Sequence, residues 1–423
     1  MRLVHAADLH LDSPLLGLSR LEDSDLADTL RRATRRACEN LVDLAVAERA
    51  DALLLAGDVY DGDWRDYATG AFFVRQMSRL HDEGIPVFLI NGNHDAESEI
   101  TRSLRLPPNV HRLATDRPET VVLDEVGLAV HGQGFATRAV LENLVPAYPD
   151  RIPGLVNVGL LHTSVLGAEG HDSYAPCSPE DLARCRYEYF ALGHVHERRV
   201  VDDGEHVAAF SGNLQGRHPR EPGAKGATVV EVGPGARAEL RHEVCDVARW
   251  THVRLDASSC ADADEVLEAL DARLRETGLA AGSRPVAARV TLDGPTPAAP
   301  ALLDAEWLRA EIDVVAEKSG AVVEMVRNRT RSPRASDAPG EAVAAVDEEL
   351  AGAVTEAASR LVAEPERAGE LVAVLEREAG RRLRGAGLDL RDPAGLAELA
   401  RRAEEELRAR LAGADPAGRG SAA

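Results

Sequence analysis

The sequence predicts a layered α/β fold, in which strands alternate with helices. Short, wholly apolar runs of strand length recur through the first half, as in Ala52-Leu53-Leu54-Leu55-Ala56. Between them lie stretches with apolar residues at helical spacing. Hydrophobic residues make up 44% of the 423, enough to build cores without disulfides.

Leu3 to Ala6 reads as a buried strand. Leu30 to Ala50 reads as a helix, with Ala33, Ala37, Leu41, Leu44 and Ala45 along one face. Ala52 to Ala56 is a second strand, Ala71 to His81 a second helix, and Pro86 to Ile90 a third strand, opened by a turn at Gly84. Further strands are expected at Thr120 to Leu123, Leu128 to His131, Val156 to Leu161, Tyr189 to Leu192, Val207 to Phe210 and Ala227 to Val232. Gly233-Pro234-Gly235 then marks a turn. From Trp250 the pattern changes. A strand at Val253 to Leu255, an amphipathic helix at Ala263 to Thr277 and an alternating strand at Val286 to Leu292 make a small α+β unit.

The expected division is 1–245, then the α+β unit over 246–334, a helical region over 341–412 and a disordered tail over 413–423. Ser332 to Gly340, rich in Pro, Ser, Ala and Gly, reads as a linker. Residues 341–412 are rich in Ala, Glu, Leu and Arg and suit two or three helices with i,i+4 ion pairs. No internal repeat is visible.

The net charge of −22 argues against a protein that coats nucleic acid nonspecifically, although a local groove can still be positive. Lysine is confined to Lys225 and Lys318, so arginine supplies nearly all the positive charge. The five cysteines, Cys38, Cys177, Cys185, Cys245 and Cys260, show no C-x-x-C spacing and read as reduced thiols. Polar chemistry begins at Asp8, with no basic region and apolar stretch before it, and no apolar run is long enough for a bilayer. A soluble, cytoplasmic protein is expected.

Five short motifs follow predicted strands. Asp8-Leu9-His10 puts a carboxylate and an imidazole two residues apart in extended chain, pointing the same way. Gly57-Asp58-Val59-Tyr60-Asp61 turns sharply at glycine and leaves Asp58 at the carboxyl end of a buried strand, where its two oxygens suit bridging of two cations. Gly92-Asn93-His94-Asp95 offers an amide oxygen, an imidazole and a carboxylate placed to hold that imidazole. His162 follows another strand, and Gly193-His194-Val195-His196 sets two histidines on one side of a fifth. Each alone is weak. D-x-H is common, a polar turn explains Asn93, and a lone strand-end histidine is usually structural. Five strands ending in ligand chemistry, with carboxylate, imidazole and amide oxygen but no thiolate, point instead to a hydrolytic site for Mn²⁺, Mg²⁺, Fe²⁺ or Zn²⁺.

The set D-x-H, G-D-x-x-D, G-N-H-D, H and G-H-x-H resembles the signature of the calcineurin-like metallophosphoesterases, over about the first 245 residues. The opening His5-Ala6-Ala7-Asp8-Leu9-His10-Leu11-Asp12-Ser13-Pro14 is similar to that of SbcD/YhaO-type DNA repair exonucleases, as is Ser211-Gly212-Asn213-Leu214-Gln215-Gly216-Arg217-His218 to the YhaO-like segment after G-H-x-H. The resemblance implies a four-layer sandwich of two β-sheets flanked by helices, with the α+β unit as a cap and C-terminal helices. It implies that Asp8, His10 and His196 hold one divalent ion, that Asn93, His162 and His194 hold the other, and that Asp58 bridges them. His94, with Asp95 beside it, would be the catalytic imidazole. Two such ions generate hydroxide near neutral pH and clamp the scissile phosphate.

As substrate the resemblance implies DNA, cut by a 3′-to-5′ exonuclease with single-strand endonuclease activity. The C-terminal helices would dock on an SbcC-like coiled-coil ATPase, and family members often dimerise. Arg217, His218 and Arg220 form one cluster suited to phosphates, and Arg327, Arg329, Arg331 and Arg334 a second; the plain alternatives are a solvated loop and a linker entry. Two other functions stay open: a small-molecule phosphodiesterase or nucleotidase, and a non-catalytic scaffold that binds DNA ends.

Overall fold

The computed structural model describes residues 1–13, 29, 32–61, 67–97, 104–165, 174–202, 204–282 and 284–333. The linker from 334, the helical region 341–412 and the tail 413–423 lie outside the described residues, as does Arg334.

In chain order the elements are β1 (Arg2–Ala6), α1 (Ala33–Ala47), β2 (Ala52–Leu55), α2 (Tyr67–Asp82), β3 (Val87–Leu89), β4 (Val110–Arg112), β5 (Glu119–Leu123), β6 (Leu128–Gln133), β7 (Val156–His162), α3 (Pro179–Arg184), β8 (Tyr189–Gly193), β9 (Arg199–Asp202) and β10 (Val207–Phe210). Then follow β11 (Gly226–Glu231), β12 (Glu239–Val244), β13 (Arg249–Asp256), α4 (Ala263–Ala281), β14 (Val286–Pro295), α5 (Ala305–Lys318) and β15 (Ala321–Arg331).

Two six-stranded mixed sheets form the sandwich, in the orders β12-β11-β1-β2-β3-β4 and β5-β6-β7-β8-β10-β9. The alternation of side chains along β2 shows why the apolar runs are continuous. Leu53 and Leu55 pack towards α1 and α2 with Leu41, Phe73 and Met77. Ala52, Leu54 and Ala56 face the second sheet, against Phe88, Val158, Leu160 and Tyr189. A strand covered on both faces carries no polar position. The outer face of the second sheet is closed by Tyr148, Leu182 and Tyr187. The expected sandwich of two sheets flanked by helices is thus what the chain forms.

β1, β2, β3 and β4 are parallel neighbours, as are β6, β7, β8 and β10. Parallel order gathers the carboxyl ends of β1, β2 and β3, and those of β7 and β8, where ligands collect in α/β folds.

The sequence reading missed β4, β9 and β12, whose residues are largely half-buried or exposed. These strands lie at sheet ends, where one flank has no neighbour and polar residues are tolerated. α1 stops before the expected Ala50, because Arg49 takes φ 50° and breaks the helical path. α2 begins at Tyr67, four residues ahead of the expected Ala71.

β13, β14 and β15 make a third, three-stranded sheet, in which β13 and β14 are parallel. α4 buries Val266, Leu270 and Leu274, and α5 buries Leu308 and Ile312. The Asp304 side chain caps α5 by accepting from the Glu306 and Trp307 amides. Neither α5 nor β15 was expected. Arg327, Arg329 and Arg331 therefore lie on a strand rather than at a linker entry, and all three are exposed.

The chain divides into two compact units. Among the described residues, one comprises Met1–Asp256, Ala263–Asp293 and Leu302–Arg329; the other comprises Ala257–Asp262, Gly294–Ala301 and 330–333. Within the second, Thr296 donates from its hydroxyl to the Cys260 carbonyl, at 2.6 Å. Among the described residues no helix is long and apolar enough to cross a membrane.

Candidate metal centre

The loops after β1 and β2 are laced together by backbone. The Asp8, His10 and Leu11 amides donate to the carbonyls of Gly57, Asp58 and Val59 at 3.0, 3.1 and 2.9 Å. Asp8, His10, Asp58 and His194 all have positive φ, at 52°, 42°, 54° and 99°. Such backbone is costly for residues with a Cβ and is kept where surrounding structure over-determines it, commonly at functional sites. Gly92 must be glycine for a different reason. A Cβ there would lie 2.2 Å from Asp58 Oδ1.

These loops bring the predicted groups together. Potential ligand atoms of Asp8, His10 and His196 lie within 4.8 Å of one another, as do those of Asp8, Asp58 and His162, and those of His10, Asp58 and His94. Asn93 Oδ1 is 3.0 Å from His162 Nε2. The His194 ring stands edge-on to that of His162, with centroids 5.3 Å apart. The Asp8 carboxylate accepts the His194 amide through both oxygens at 3.1 Å. Asp8, His10, Asp58 and His162 are essentially inaccessible to solvent, whereas the His94 side chain is 35% exposed.

The hydrogen bonds fix where each imidazole keeps its proton. His10 Nδ1 is 2.5 Å from Asp61 Oδ1, and His196 Nδ1 is 2.6 Å from Glu221 Oε1. Burial opposes ionisation of both carboxyls. Bonds from His10 and His196, with the Arg217 charge, hold Asp61 and Glu221 well below the usual carboxylate range. A carboxylate only accepts, so each Nδ1 must donate. Both Nε2 atoms then carry lone pairs, yet they face each other at 3.2 Å. Asp58 Oδ2 is 3.9 Å from one and Asp8 Oδ1 is 3.8 Å from the other. His162 repeats the pattern. Its Nδ1 donates to the Ala56 carbonyl at 2.8 Å, and its Nε2 faces Asn93 Oδ1 and, at 3.5 Å, Asp58 Oδ2.

Inward-facing lone pairs and anionic oxygens repel unless a positive centre lies among them. The titration of the bare side chains expresses this. Burial disfavours a charged His162, but the Asp58 charge and bond override it and push the imidazole up to about 9. Burial likewise raises Asp58, and His162 and His10 overcome that and hold it well below its ordinary value. His10 moves the other way, lowered by burial and by Arg217. Imidazole, carboxylate and amide oxygen without thiolate, the imidazoles braced at Nδ1, is a donor set that fits divalent cations.

Three expectations need correction. Asp95 does not hold His94. It is buried, and its oxygens accept the amides of Val59, Tyr60 and Gly92 at 3.2, 3.0 and 3.1 Å. Asp95 thus clamps the Gly57 and Gly92 loops together, and the carboxylate nearest the His94 ring is Asp61, 3.7 Å from Nδ1. Burial and the Asp58 charge push Asp95 up to about 7, against the pull of those three donors. Arg217 packs against the site itself. Its guanidinium turns inward, 3.2 Å from Ser13 Oγ, 3.4 Å from Asp61 and 3.5 Å from Glu221. His218 also leans on Glu221, with Nε2 3.3 Å from Oε1, which leaves Arg220 as the exposed member of the trio. The sequence reading overlooked Glu221 altogether, since a glutamate 25 residues beyond its histidine carries no local signal.

The chain is similar in sequence to known proteins. The family described as calcineurin-like phosphoesterase matches residues 1–198, and the middle domain of metallophosphoesterase YhaO matches residues 250–331. The chain is similar to uncharacterized metallophosphoesterase YhaO of Bacillus subtilis, 32% identical over 314 residues, which are 73% of each chain. It is similar to the SbcD component of the nuclease SbcCD of the same organism, 27% identical over 56% of this chain and 68% of that protein. It is also similar to the DNA double-strand break repair protein Mre11 of Sulfurisphaera tokodaii, 23% identical over 54% of this chain and 59% of that one.

Proposed function

Since the chain belongs to the YhaO-type, calcineurin-like metallophosphoesterases, we propose that it is a two-metal DNA nuclease, acting as a 3′-to-5′ exonuclease and on single strands. The observation that carries the reading is the approach of His10 Nε2 and His196 Nε2 to 3.2 Å, each ring braced by a carboxylate.

Asp8, His10 and His196 would hold one ion and Asn93, His162 and His194 the other, with Asp58 available to both; Mn²⁺ is the proposed metal and Mg²⁺, Fe²⁺ and Zn²⁺ suit the same donors. Bound divalent ions lower the pKa of water and offset the charge of the scissile phosphate. Asp61 and Glu221 keep His10 and His196 in the tautomer whose Nε2 carries the lone pair. Asp58 Oδ1 accepts the His94 amide at 2.9 Å, which ties the His94 loop to the same centre. The His94 ring is edge-on to that of His10, with centroids 5.0 Å apart. Partly exposed there, with Asp61 3.7 Å from its Nδ1, His94 is placed to deliver a proton from Nε2 to the leaving oxygen.

DNA as substrate is supported by what the similar SbcCD nuclease and Mre11 are named for. The same likeness supports an SbcC-like coiled-coil ATPase as partner, taken up by the region 341–412. Hydrolysis of single-stranded DNA, bis-p-nitrophenyl phosphate and cyclic nucleotides with Mn²⁺ tests the reading. DNA cleavage from the 3′ end supports it. Turnover of cyclic nucleotides with intact DNA would make the chain a small-molecule phosphodiesterase, and EDTA-resistant DNA binding without cleavage would make it a scaffold.

A further inference from the structure

We infer that Glu221 is a positioning residue whose two oxygens are committed to different partners, so that it dictates which nitrogen His196 presents to the centre; this rests on the two-metal reading. Glu221 Oε2 accepts from Asn213 Nδ2 at 2.9 Å and from the Arg217 backbone amide at 2.7 Å. Oε1 accepts from His196 Nδ1 at 2.6 Å, with His218 Nε2 and Arg217 Nη2 farther off at 3.3 and 3.5 Å. The carboxylate cannot turn over without setting Oε1 against the same donors, and a backbone N–H cannot become an acceptor.

The loop that carries Glu221 is itself held. Trp250 Nε1 donates to the Gly216 carbonyl at 3.1 Å, and buried Gln215 donates to the Ala248 carbonyl and accepts the Val247 amide at 2.7 and 3.0 Å. His252 Nε2 donates to the Pro219 carbonyl at 2.7 Å. Glu221 is 5% exposed, so no water layer softens its choice of partner.

An unusual order of variants follows. In Glu221→Gln the amide oxygen is claimed by Asn213 and the Arg217 amide, so the NH₂ group takes the place of Oε1. It then donates to His196 Nδ1, which forces the proton onto Nε2, the atom aimed at Asp8 and His10. His218, a third exposed, has room to move away. In Glu221→Ala the imidazole is merely free to choose. Loss of a partner that braces a metal-binding histidine weakens binding by about 10–100-fold. The glutamine, close in shape, is expected to weaken it further than the alanine does.

The test uses the full-length protein with ¹⁵N-labelled histidine, read first without metal. Long-range ¹H–¹⁵N correlation is expected to show the Nδ1–H tautomer of His196 in the parent protein and the Nε2–H tautomer in Glu221→Gln. Mn²⁺ titration by calorimetry is expected to give two ions in the parent, one in Glu221→Gln, and two, the second about 10–100-fold weaker, in Glu221→Ala. A parent-like tautomer in Glu221→Gln, or tighter Mn²⁺ binding by Gln than by Ala, overturns the inference and leaves Glu221 a structural residue. A parent that binds no Mn²⁺ sinks the two-metal reading instead, and the tautomer measurement still decides the role of Glu221.

Discussion

His10 Nε2 lies 3.2 Å from His196 Nε2, and both rings have already given their other proton to a carboxylate. Two lone pairs at that separation repel, and a cation between or beside them relieves the repulsion. Divalent metal is therefore expected to act as a structural ligand of the folded state, apart from any catalysis. At a Mn²⁺ concentration about a hundredfold above the dissociation constant, each bound ion adds about 2.7 kcal/mol. Scanning calorimetry should show a higher melting temperature in Mn²⁺ than in EDTA. Asp58→Ala, which removes the shared oxygens, should abolish most of that difference; an undiminished difference would remove Asp58 from the centre.

The pH dependence of the metal-free protein follows from His162. Its folded pKa of about 9 lies above the ordinary 6.5, so the stability it contributes is fully present below pH 6.5 and is lost as pH rises towards 9. His10 and His5 stay neutral in the fold, unfolded imidazoles have lost most of their protons by about pH 7.5, and Asp95, pushed up to about 7, is largely ionised by about pH 8, so the decline above that value belongs to His162. In EDTA, urea unfolding should give lower stability at about pH 9 than at about pH 8. Saturating Mn²⁺ occupies His162 Nε2 and should remove the decline. A flat profile in EDTA would contradict the assignment of a buried positive charge to that ring.

His94→Ala should leave Mn²⁺ binding nearly intact while kcat falls by about 10²–10⁴-fold, the usual worth of a positioned proton donor. The asymmetry arises because His94 is the partly exposed imidazole and anchors to Asp58 through its backbone, which the substitution keeps. Equal loss of metal and turnover would reclassify His94 as a ligand.

Gly92→Ala tests the packing that the site demands. The added Cβ would meet Asp58 Oδ1 at 2.2 Å and Asp58 N at 2.7 Å, so the shared carboxylate must move. The expected result is a folded protein, by circular dichroism, that binds Mn²⁺ as poorly as Asp58→Ala does. Parent-like Mn²⁺ binding would show that the loop absorbs the methyl group elsewhere.

The sandwich and the inner ligands were legible for one reason. A strand buried on both faces is mostly apolar, so the polar residues at or just past its end, Asp8, Asp58, Asn93 and His162, stand out against it. Edge strands such as β12 carry no such contrast, since Glu239–Val244 is polar on its open flank. The bracing groups were not legible for a related reason. Asp61 was within a visible motif, but its partner, His10, is 51 residues away, and Glu221 meets His196 only through a loop pinned by Asn213 and Trp250. Asp95 misled because adjacency to His94 suggested contact, whereas its carboxyl is drawn to backbone amides on two loops.

Anomalous diffraction from crystals grown in Mn²⁺ tests the centre most directly. The expected map holds two peaks, one bounded by Asp8, His10, Asp58 and His196 and the other by Asp58, Asn93, His162 and His194. No peak at saturating Mn²⁺, or peaks only on surface carboxylates, would contradict it.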